Sequence, residues 1–158
     1  MININSLSIV SFLGIFFALQ IPVSAENCTP IPLVGGQGST VTKTVSTPTI
    51  PAPFGINITR NNWNTDWAVP SNNNTFRRYL VEISSNDGGP FDIRIYLKYS
   101  DQTADQFFNQ EAVNIVTNKP LKIESTPRPD AQPYQVNLFV GGLESLGKTY
   151  TAIVMGCY

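Results

Sequence analysis

The stretch that decides the fold is Phe-Asp-Ile-Arg-Ile-Tyr-Leu-Lys-Tyr, residues 91–99. Its odd-numbered residues are apolar or aromatic, and its even-numbered residues carry polar groups. The first set is Phe91, Ile93, Ile95, Leu97 and Tyr99, and the second is Asp92, Arg94, Tyr96 and Lys98. A period of two places each set on its own side of a strand. The stretch therefore predicts an antiparallel strand with one buried face and one solvent face.

The same alternation recurs on both sides of this strand. It runs through Tyr79–Ile83 before it and through Tyr134–Val140 after it. Shorter β-branched or apolar runs complete the set: Ile56 with Ile58, Ala112–Val116, Leu121–Glu124 and Thr149–Met155. Seven or eight short strands with one apolar face each need a second layer to cover that face. The predicted fold class is all-β, a two-sheet antiparallel β-sandwich.

Turn residues between these strands predict their connections. Residues 84–90, Ser-Ser-Asn-Asp-Gly-Gly-Pro, favour a hairpin between the strands on either side. Residues 118–120, Asn-Lys-Pro, favour a second hairpin. The one segment that predicts helix is Thr103–Gln110, with one or two turns.

The first 25 residues have the pattern of a cleaved signal peptide. Ile9–Ile21 is almost continuously apolar, and Pro22–Ala25 provides a cleavage site with small residues. The run is short for a membrane span, although no Lys or Arg precedes it. An uncleaved membrane anchor is the alternative. We expect cleavage after Ala25, no membrane span afterwards, and a periplasmic, cell-surface or extracellular location.

Export determines how the two cysteines are interpreted. Cys28 lies near the start of the mature chain and Cys157 is the penultimate residue. In an oxidising compartment we expect a disulfide between them rather than two free thiols. Such a bond closes nearly the whole mature chain, which is worth about 4–5 kcal/mol in the loop-entropy model.

The mature chain divides by composition into two parts. Residues 26–54 hold five prolines and the run Gly-Gly-Gln-Gly, which predicts an extended, poorly packed arm tethered by Cys28. Within the arm, Ser39–Ser46 is β-branched and predicts a short edge strand. Residues 55–158 contain the alternating strands and form the predicted sandwich domain.

Composition excludes several classes of function. The 158 residues carry 10 basic and 11 acidic side chains with no basic stripe, which argues against a nucleic-acid partner. There is no histidine, so a Ser-His-Asp or Cys-His mechanism is excluded. Two cysteines cannot form a four-ligand zinc site. Among the carboxylates, Glu82 with Glu111, or Asp66 with Asp92, are candidate hydrolase pairs, but nothing in the sequence brings either pair together. We predict no catalytic site, metal or cofactor.

The most unusual segment is Asn57–Thr75, which holds both tryptophans of the chain. Aromatic rings stack on sugars, and amides and carboxylates bond sugar hydroxyls. This mixture predicts a ligand-binding surface on loops carried by a rigid sandwich. The candidate residues are Trp63, Trp67, Asn62, Asn64 and Asp66. The alternative is that the tryptophans close one end of the core while the asparagines form turns.

Two functions remain after these exclusions. The first is an exported, non-catalytic binding module for a carbohydrate or an envelope glycan. The second is a structural or adhesive envelope protein that acts through protein contacts, with the proline-rich arm adding a strand to a neighbour. The sequence does not indicate an oligomeric state.

Overall fold

The computed structural model describes residues 27–47, 50–51, 57–58, 62–71 and 75–158. The predicted signal peptide and its cleavage site lie outside the described residues, as do parts of the Asn-rich segment. Among the described residues, no helix is long and apolar enough to cross a membrane.

Eleven strands and one 3-10 helix follow one another along the described chain. They are β1 (Cys28–Pro30), β2 (Thr40–Thr44), β3 (Ile50–Pro51), β4 (Asn57–Ile58), β5 (Asn64–Ala68), β6 (Arg78–Ser84), β7 (Gly89–Lys98), β8 (Ala104–Ile115), β9 (Leu121–Ser125), β10 (Gln135–Gly141), the 3-10 helix Leu143–Ser145, and β11 (Thr149–Cys157).

Nine of these strands form two antiparallel sheets in the described part of the chain. The five-stranded sheet has the order β1-β11-β6-β9, and β2 also pairs with β11. The four-stranded sheet has the order β5-β10-β7-β8. The small strands β3 and β4 pair with each other. The predicted all-β, two-sheet antiparallel architecture is confirmed.

The alternation in β7 shows why the sheets pack as they do. Its odd-numbered residues are buried and its even-numbered residues are partly exposed, as the period of two predicts. Residues of both sheets join in one apolar cluster, in which Val81 and Val154 of the five-stranded sheet accompany Ile95 and Leu138 of the four-stranded sheet. The core therefore lies between the two layers.

The N-terminal segment is packed more closely than expected. β1 and β2 pair with successive parts of β11, and the side chains of Ile31 and Val45 are buried. Between them, Leu33 forms a bridge with Trp67 of the four-stranded sheet. The prediction of a poorly packed arm is therefore wrong for residues 27–47, because edge strands tolerate the prolines that central strands exclude. The edge strand predicted within Ser39–Ser46 is present as β2.

The predicted disulfide is confirmed. Cys28 and Cys157 lie opposite each other in the pairing of β1 with β11, and their sulfur atoms are bonded. The bond ties the start of the described chain to its last strand.

Both predicted hairpins are wrong. β6 and β7 lie in different sheets, and so do β8 and β9. Gly88 and Gly89 adopt φ values of 62° and 91° and turn the chain from one layer to the other. The turn residues mark where the chain changes direction, but they do not determine which strand it pairs with next.

The predicted helix Thr103–Gln110 is also wrong, because all of these residues except Thr103 belong to the long strand β8. Two register irregularities interrupt the pairing of β8 with β7, between Phe91 and Ile93 and between Ile95 and Tyr96. A bulge inserts an extra residue and shifts the alternation. As a result Phe107 and Phe108 are adjacent yet both pack against the core, a spacing that resembles a helical pattern.

Candidate functional site

The segment that was expected to form binding loops contains the strand β5. Alternation along β5 turns Trp67 into the core and leaves Asn64 and Asp66 on the opposite side. Trp67 has 0% of its surface exposed, and its Nε1 donates to the Ser39 carbonyl at 2.8 Å. Trp67 therefore presents no ring face to a ligand, and its position is the core-closing one that the sequence left as an alternative.

Trp63 is also held by the protein itself. Its ring meets Phe139 edge to face at 5.5 Å, and its Nε1 donates to the Ser46 carbonyl at 2.8 Å. The ring lies so close to the backbone of Gly141 that a Cβ at that position would overlap it. These contacts fix the ring against β10 and account for its partial burial.

Asn62 has a local structural role. Its Oδ1 accepts hydrogen bonds from the Ser46 amide at 3.2 Å and the Ser46 hydroxyl at 3.0 Å. Its Nδ2 donates to the Thr44 carbonyl at 2.9 Å. The side chain thus joins the start of β5 to the end of β2, and its hydrogen-bonding groups are engaged.

Asp66 brings three strands of the four-stranded sheet together. Its Oδ1 accepts from Lys98 Nζ at 3.2 Å and from Asn137 Nδ2 at 2.8 Å. The three side chains come from β5, β7 and β10, on the side of the sheet that faces away from the core. Asp66 is therefore part of a surface that extends well beyond its own segment.

Strand register places twelve residues in three rows on this surface, which we call the outer face. The first row is Asn64, Phe139, Arg94 and Asn109; the second is Asp66, Asn137, Tyr96 and Gln106; the third is Ala68, Gln135, Lys98 and Ala104. The outer face combines aromatic rings, amides and charges. The sequence predicted the solvent side of β7 but not its neighbours on the other strands.

Tyr96 lies at the centre of the outer face. It is partly exposed, between Asn137 on β10 and Gln106 on β8. Within the described residues, its side chain makes no hydrogen bond and no ring or cation contact. An aromatic ring with an open face and a polar edge is suited to stacking on another flat, polar molecule.

Arg94 lies next to Tyr96 on the same strand. Its guanidinium carbon lies 4.4 Å from the centre of the Phe139 ring, a cation–π contact. In the part of the chain that the structure describes, no carboxylate or hydrogen-bond acceptor engages the guanidinium. The group is held in place by a ring and keeps its donors unpaired.

Amide side chains border the two central groups. Those of Asn64, Gln106, Asn109 and Gln135 have no side-chain hydrogen bond within the described ranges. Each amide offers two donor hydrogens and an acceptor oxygen. The outer face therefore presents several hydrogen-bonding groups that the fold does not use.

A cleft of about 280 Å³ adjoins the outer face at the open edge of the sandwich, between β2 and β5. Lys43 lines it and donates to the Asn64 carbonyl at 2.8 Å and the Thr65 hydroxyl at 2.7 Å. Burial lowers the pKa of Lys43, against the opposing attraction of Asp66. Asn64 and Asp66 also line the cleft, so it continues the outer face.

The structure does not bring together the carboxylate pair Glu82 and Glu111 considered from the sequence. No group of three or more His, Cys, Asp or Glu side chains there is placed to hold a metal ion. Glu82 forms an ion pair with Lys122 at 2.7 Å on the five-stranded sheet, whereas Glu111 belongs to β8 of the other sheet. The candidate pair Glu82 and Glu111 is thus divided between the two layers.

Sequence reasoning missed Tyr96, Arg94 and Phe139 as candidate site residues. The signal that points to Tyr96 is an aromatic residue at a solvent-facing position of a strand with strict alternation. Phe139 gives a weaker signal of the same kind on β10. Their proximity depends on strand order, which alternation does not provide.

Comparison with known proteins gives distant structural likenesses only. No protein-family model and no curated protein matches the sequence. A mutant of CBM29-2, a family 29 carbohydrate-binding module, aligns over 84% of this chain and 91% of its own, with a TM-score of 0.44 and 8% identity. The CBM22-1 xylan-binding domain of Paenibacillus barcinonensis Xyn10C aligns over 82% of this chain and 83% of its own, with a TM-score of 0.32 and 8% identity. Likenesses this distant do not establish a function or a site.

Proposed function

We propose that this protein is an exported, non-catalytic module that binds a glycan on the outer face of its four-stranded sheet. The observation that carries the proposal is Tyr96, a partly exposed ring at the centre of that face with no partner in the described chain. The confirmed disulfide is consistent with export, because such bonds persist in oxidising compartments.

The groups around Tyr96 match the chemistry of a sugar. A pyranose ring offers a flat apolar face of C–H groups and a rim of hydroxyls that donate and accept. The Tyr96 ring supplies the stacking surface, and Gln106 and Asn109 supply hydrogen-bonding groups beside it. The ion pair of Asp66 and Lys98 adds a charged acceptor on β5 and a charged donor on β7.

The site we propose keeps part of the one expected from the sequence. Asn64 and Asp66 remain ligand-binding candidates, because both lie on the outer face and line the adjoining cleft. Trp67 packs in the core behind this face, Trp63 packs against Phe139 of the outer face, and Asn62 joins β5 to β2.

The alternative function, strand addition by the N-terminal arm, has lost the observation that favoured it. The arm was expected to be available for pairing, but β1 and β2 already pair with β11. A strand that is hydrogen-bonded within its own chain must first detach before it can join a neighbour.

The test is the affinity of Tyr96→Ala for glycans. We expect the disulfide-bonded protein to bind at least one class in a panel of soluble oligosaccharides, measured by isothermal titration calorimetry. Loss of a buried stacking contact at the centre of a site costs about tenfold or more in affinity. Tyr96→Phe should retain most of the affinity, since it keeps the ring.

Tyr134→Ala is the matched control, because Tyr134 is 51% exposed and lies outside the three rows of the outer face. It should bind as the unmodified protein does. Equal losses in Tyr96→Ala and Tyr134→Ala would contradict the proposed site, and no binding across the whole panel would contradict the proposed function.

A further inference from the structure

We infer that the glycan bound on the outer face is acidic and that Arg94 recognises its carboxylate. This inference rests on the proposed function, and it adds the chemical class of the ligand. It starts from the formal charges in the three rows of the outer face, which belong to Asp66, Lys98 and Arg94.

Two of these three charges neutralise each other. Lys98 Nζ lies 3.2 Å from Asp66 Oδ1, and Asn137 donates to the same oxygen. Arg94 has no such partner among the described residues. With two positive charges and one negative, the three rows carry a net charge of +1, and the unmatched charge is that of Arg94.

The guanidinium is also preorganised. Its cation–π contact with Phe139 restrains the group, and Phe139 in turn packs edge to face with Trp63. A fixed guanidinium presents parallel N–H donors that match the two oxygens of a carboxylate. Since the fold has already restricted this side chain, a ligand gains the hydrogen bonds with little further loss of side-chain entropy.

The position of Arg94 relative to Tyr96 suits one sugar unit. The two residues are separated by two positions along β7, which is about 6.7 Å. A sugar stacked on the Tyr96 ring therefore directs a substituent at its rim towards the guanidinium. Lys98 lies two positions from Tyr96 in the other direction along β7, but its ammonium group is already paired with Asp66.

The opposite end of the strand limits how a carboxylate approaches. Asp92 lies two residues before Arg94 on the same strand, on the side away from Tyr96. Together with Glu111 and Glu144, it lines a cavity of about 240 Å³. These carboxylates repel an anion from that side. An acidic ligand is thus guided to reach Arg94 across Tyr96, which is the side on which a stacked sugar lies.

The experiment compares acidic oligosaccharides with neutral partners of the same backbone. The probes are oligogalacturonate with its methyl ester, and hyaluronate fragments with their carboxyl-reduced forms. Affinities are measured for the unmodified protein, for Arg94→Gln, and for Lys119→Gln. Lys119 lies in the exposed β8–β9 connection, so its variant removes the same charge away from the outer face.

We expect an acidic oligosaccharide to bind about tenfold more tightly than its neutral partner. Arg94→Gln should abolish this preference while keeping the affinity for the neutral form, and Lys119→Gln should keep the preference. Arg94→Lys should be intermediate, because lysine keeps the charge but not the paired donors. Higher salt should weaken the acidic ligand more than the neutral one.

The failures of the two proposals are distinguishable. Equal or tighter binding of a neutral form, unaffected by Arg94→Gln, overturns the carboxylate inference and leaves glycan binding standing. A preference for the acidic form that Arg94→Gln retains also overturns the inference. No binding of either form, with none in the wider neutral panel, overturns both proposals.

Discussion

Each face of the four-stranded sheet carries aromatic side chains, but the two faces use them differently. On the inner face, Trp67 is fully buried, its indole nitrogen bonds a carbonyl, and its neighbours belong to the core. On the outer face, Tyr96 and the amides of Gln106 and Asn109 have no side-chain partner in the described chain. The difference separates groups that maintain the fold from groups that remain available to a ligand.

Two arginines show the same contrast. Arg128 stacks on Tyr99 at 4.0 Å and donates to Asp105, Asp101 and Thr103. Arg94 stacks on Phe139 at 4.4 Å but has no carboxylate partner in the described ranges. The stacked geometry alone therefore does not reveal a function. What distinguishes the two arginines is whether the fold satisfies the donors.

The largest effect should come from the disulfide, which lies in the other sheet. Replacing both Cys28 and Cys157 by alanine should lower the free energy of unfolding by about 5 kcal/mol, because a long loop is no longer closed in the unfolded chain. Urea denaturation measures the loss. Molecules of this variant that remain folded should keep their glycan affinity, because the outer face is formed by the four-stranded sheet and the disulfide joins strands of the other sheet.

The pairings of β1 and β2 with β11 also hold the N-terminal segment in place, independently of the disulfide. An unchanged urea midpoint in the cysteine-free variant would show that these pairings, rather than the disulfide, hold the segment in place.

The second effect compares the two faces directly. Trp67→Ala should cost about 3–5 kcal/mol, because it removes a large buried ring and leaves a cavity. Tyr96→Ala should cost no more than about 1 kcal/mol, since the ring is partly exposed and only strand preference and edge contacts are lost. Urea denaturation of the two variants, together with glycan titration, separates stability from binding. A loss of stability in Tyr96→Ala as large as that of Trp67→Ala would remove the distinction between the faces.

The sequence was informative where one strand dictates its own environment. The alternation in β7 predicted which side chains are buried, and the cysteine positions predicted the disulfide. In the β10 stretch it was correct for Val136, Leu138 and Val140, but Tyr134 is exposed and Asn137 is buried. It failed where the outcome depends on which strands meet. Turn residues in 84–90 do not specify whether the chain returns in the same sheet or crosses to the other. Bulges in β8 shifted the alternation and produced a pattern that resembles a helix.

One feature of the structure divides the residues of the candidate site between two faces of the sheet. The composition of Asn57–Thr75 pointed to a ligand surface, but the structure forms a strand at Asn64–Ala68, and alternation separates Trp67 from Asp66. The aromatic group that accompanies Asp66 on the outer face is Tyr96, from a strand about 30 positions later in the chain. Only the pairing of β10 with both β5 and β7 brings the two residues into the same row, with Asn137 between them.

The smallest expected effect is a change in how stability depends on pH when Arg128 is replaced. Hydrogen bonds from Arg128 are the main cause that lowers the pKa of Asp105. A carboxylate with a lowered pKa adds stability above the ordinary value of about 3.9, and this contribution is lost as the pH falls through the lower, folded-state pKa. Arg128→Met should therefore lower the urea midpoint at pH 7 and reduce the further drop between pH 5 and pH 2.

Arg94→Met provides the matched comparison for this pH dependence, because it removes an arginine that is stacked on a ring but has no carboxylate partner in the described chain. It should leave both the midpoint at pH 7 and the drop at acid pH close to those of the unmodified protein. If the two variants lose acid sensitivity to the same extent, Arg94 has a carboxylate partner in solution. The donors that we assign to a ligand would then already be used by the fold. If only Arg128→Met loses acid sensitivity, the guanidinium of Arg94 remains available to an acidic sugar.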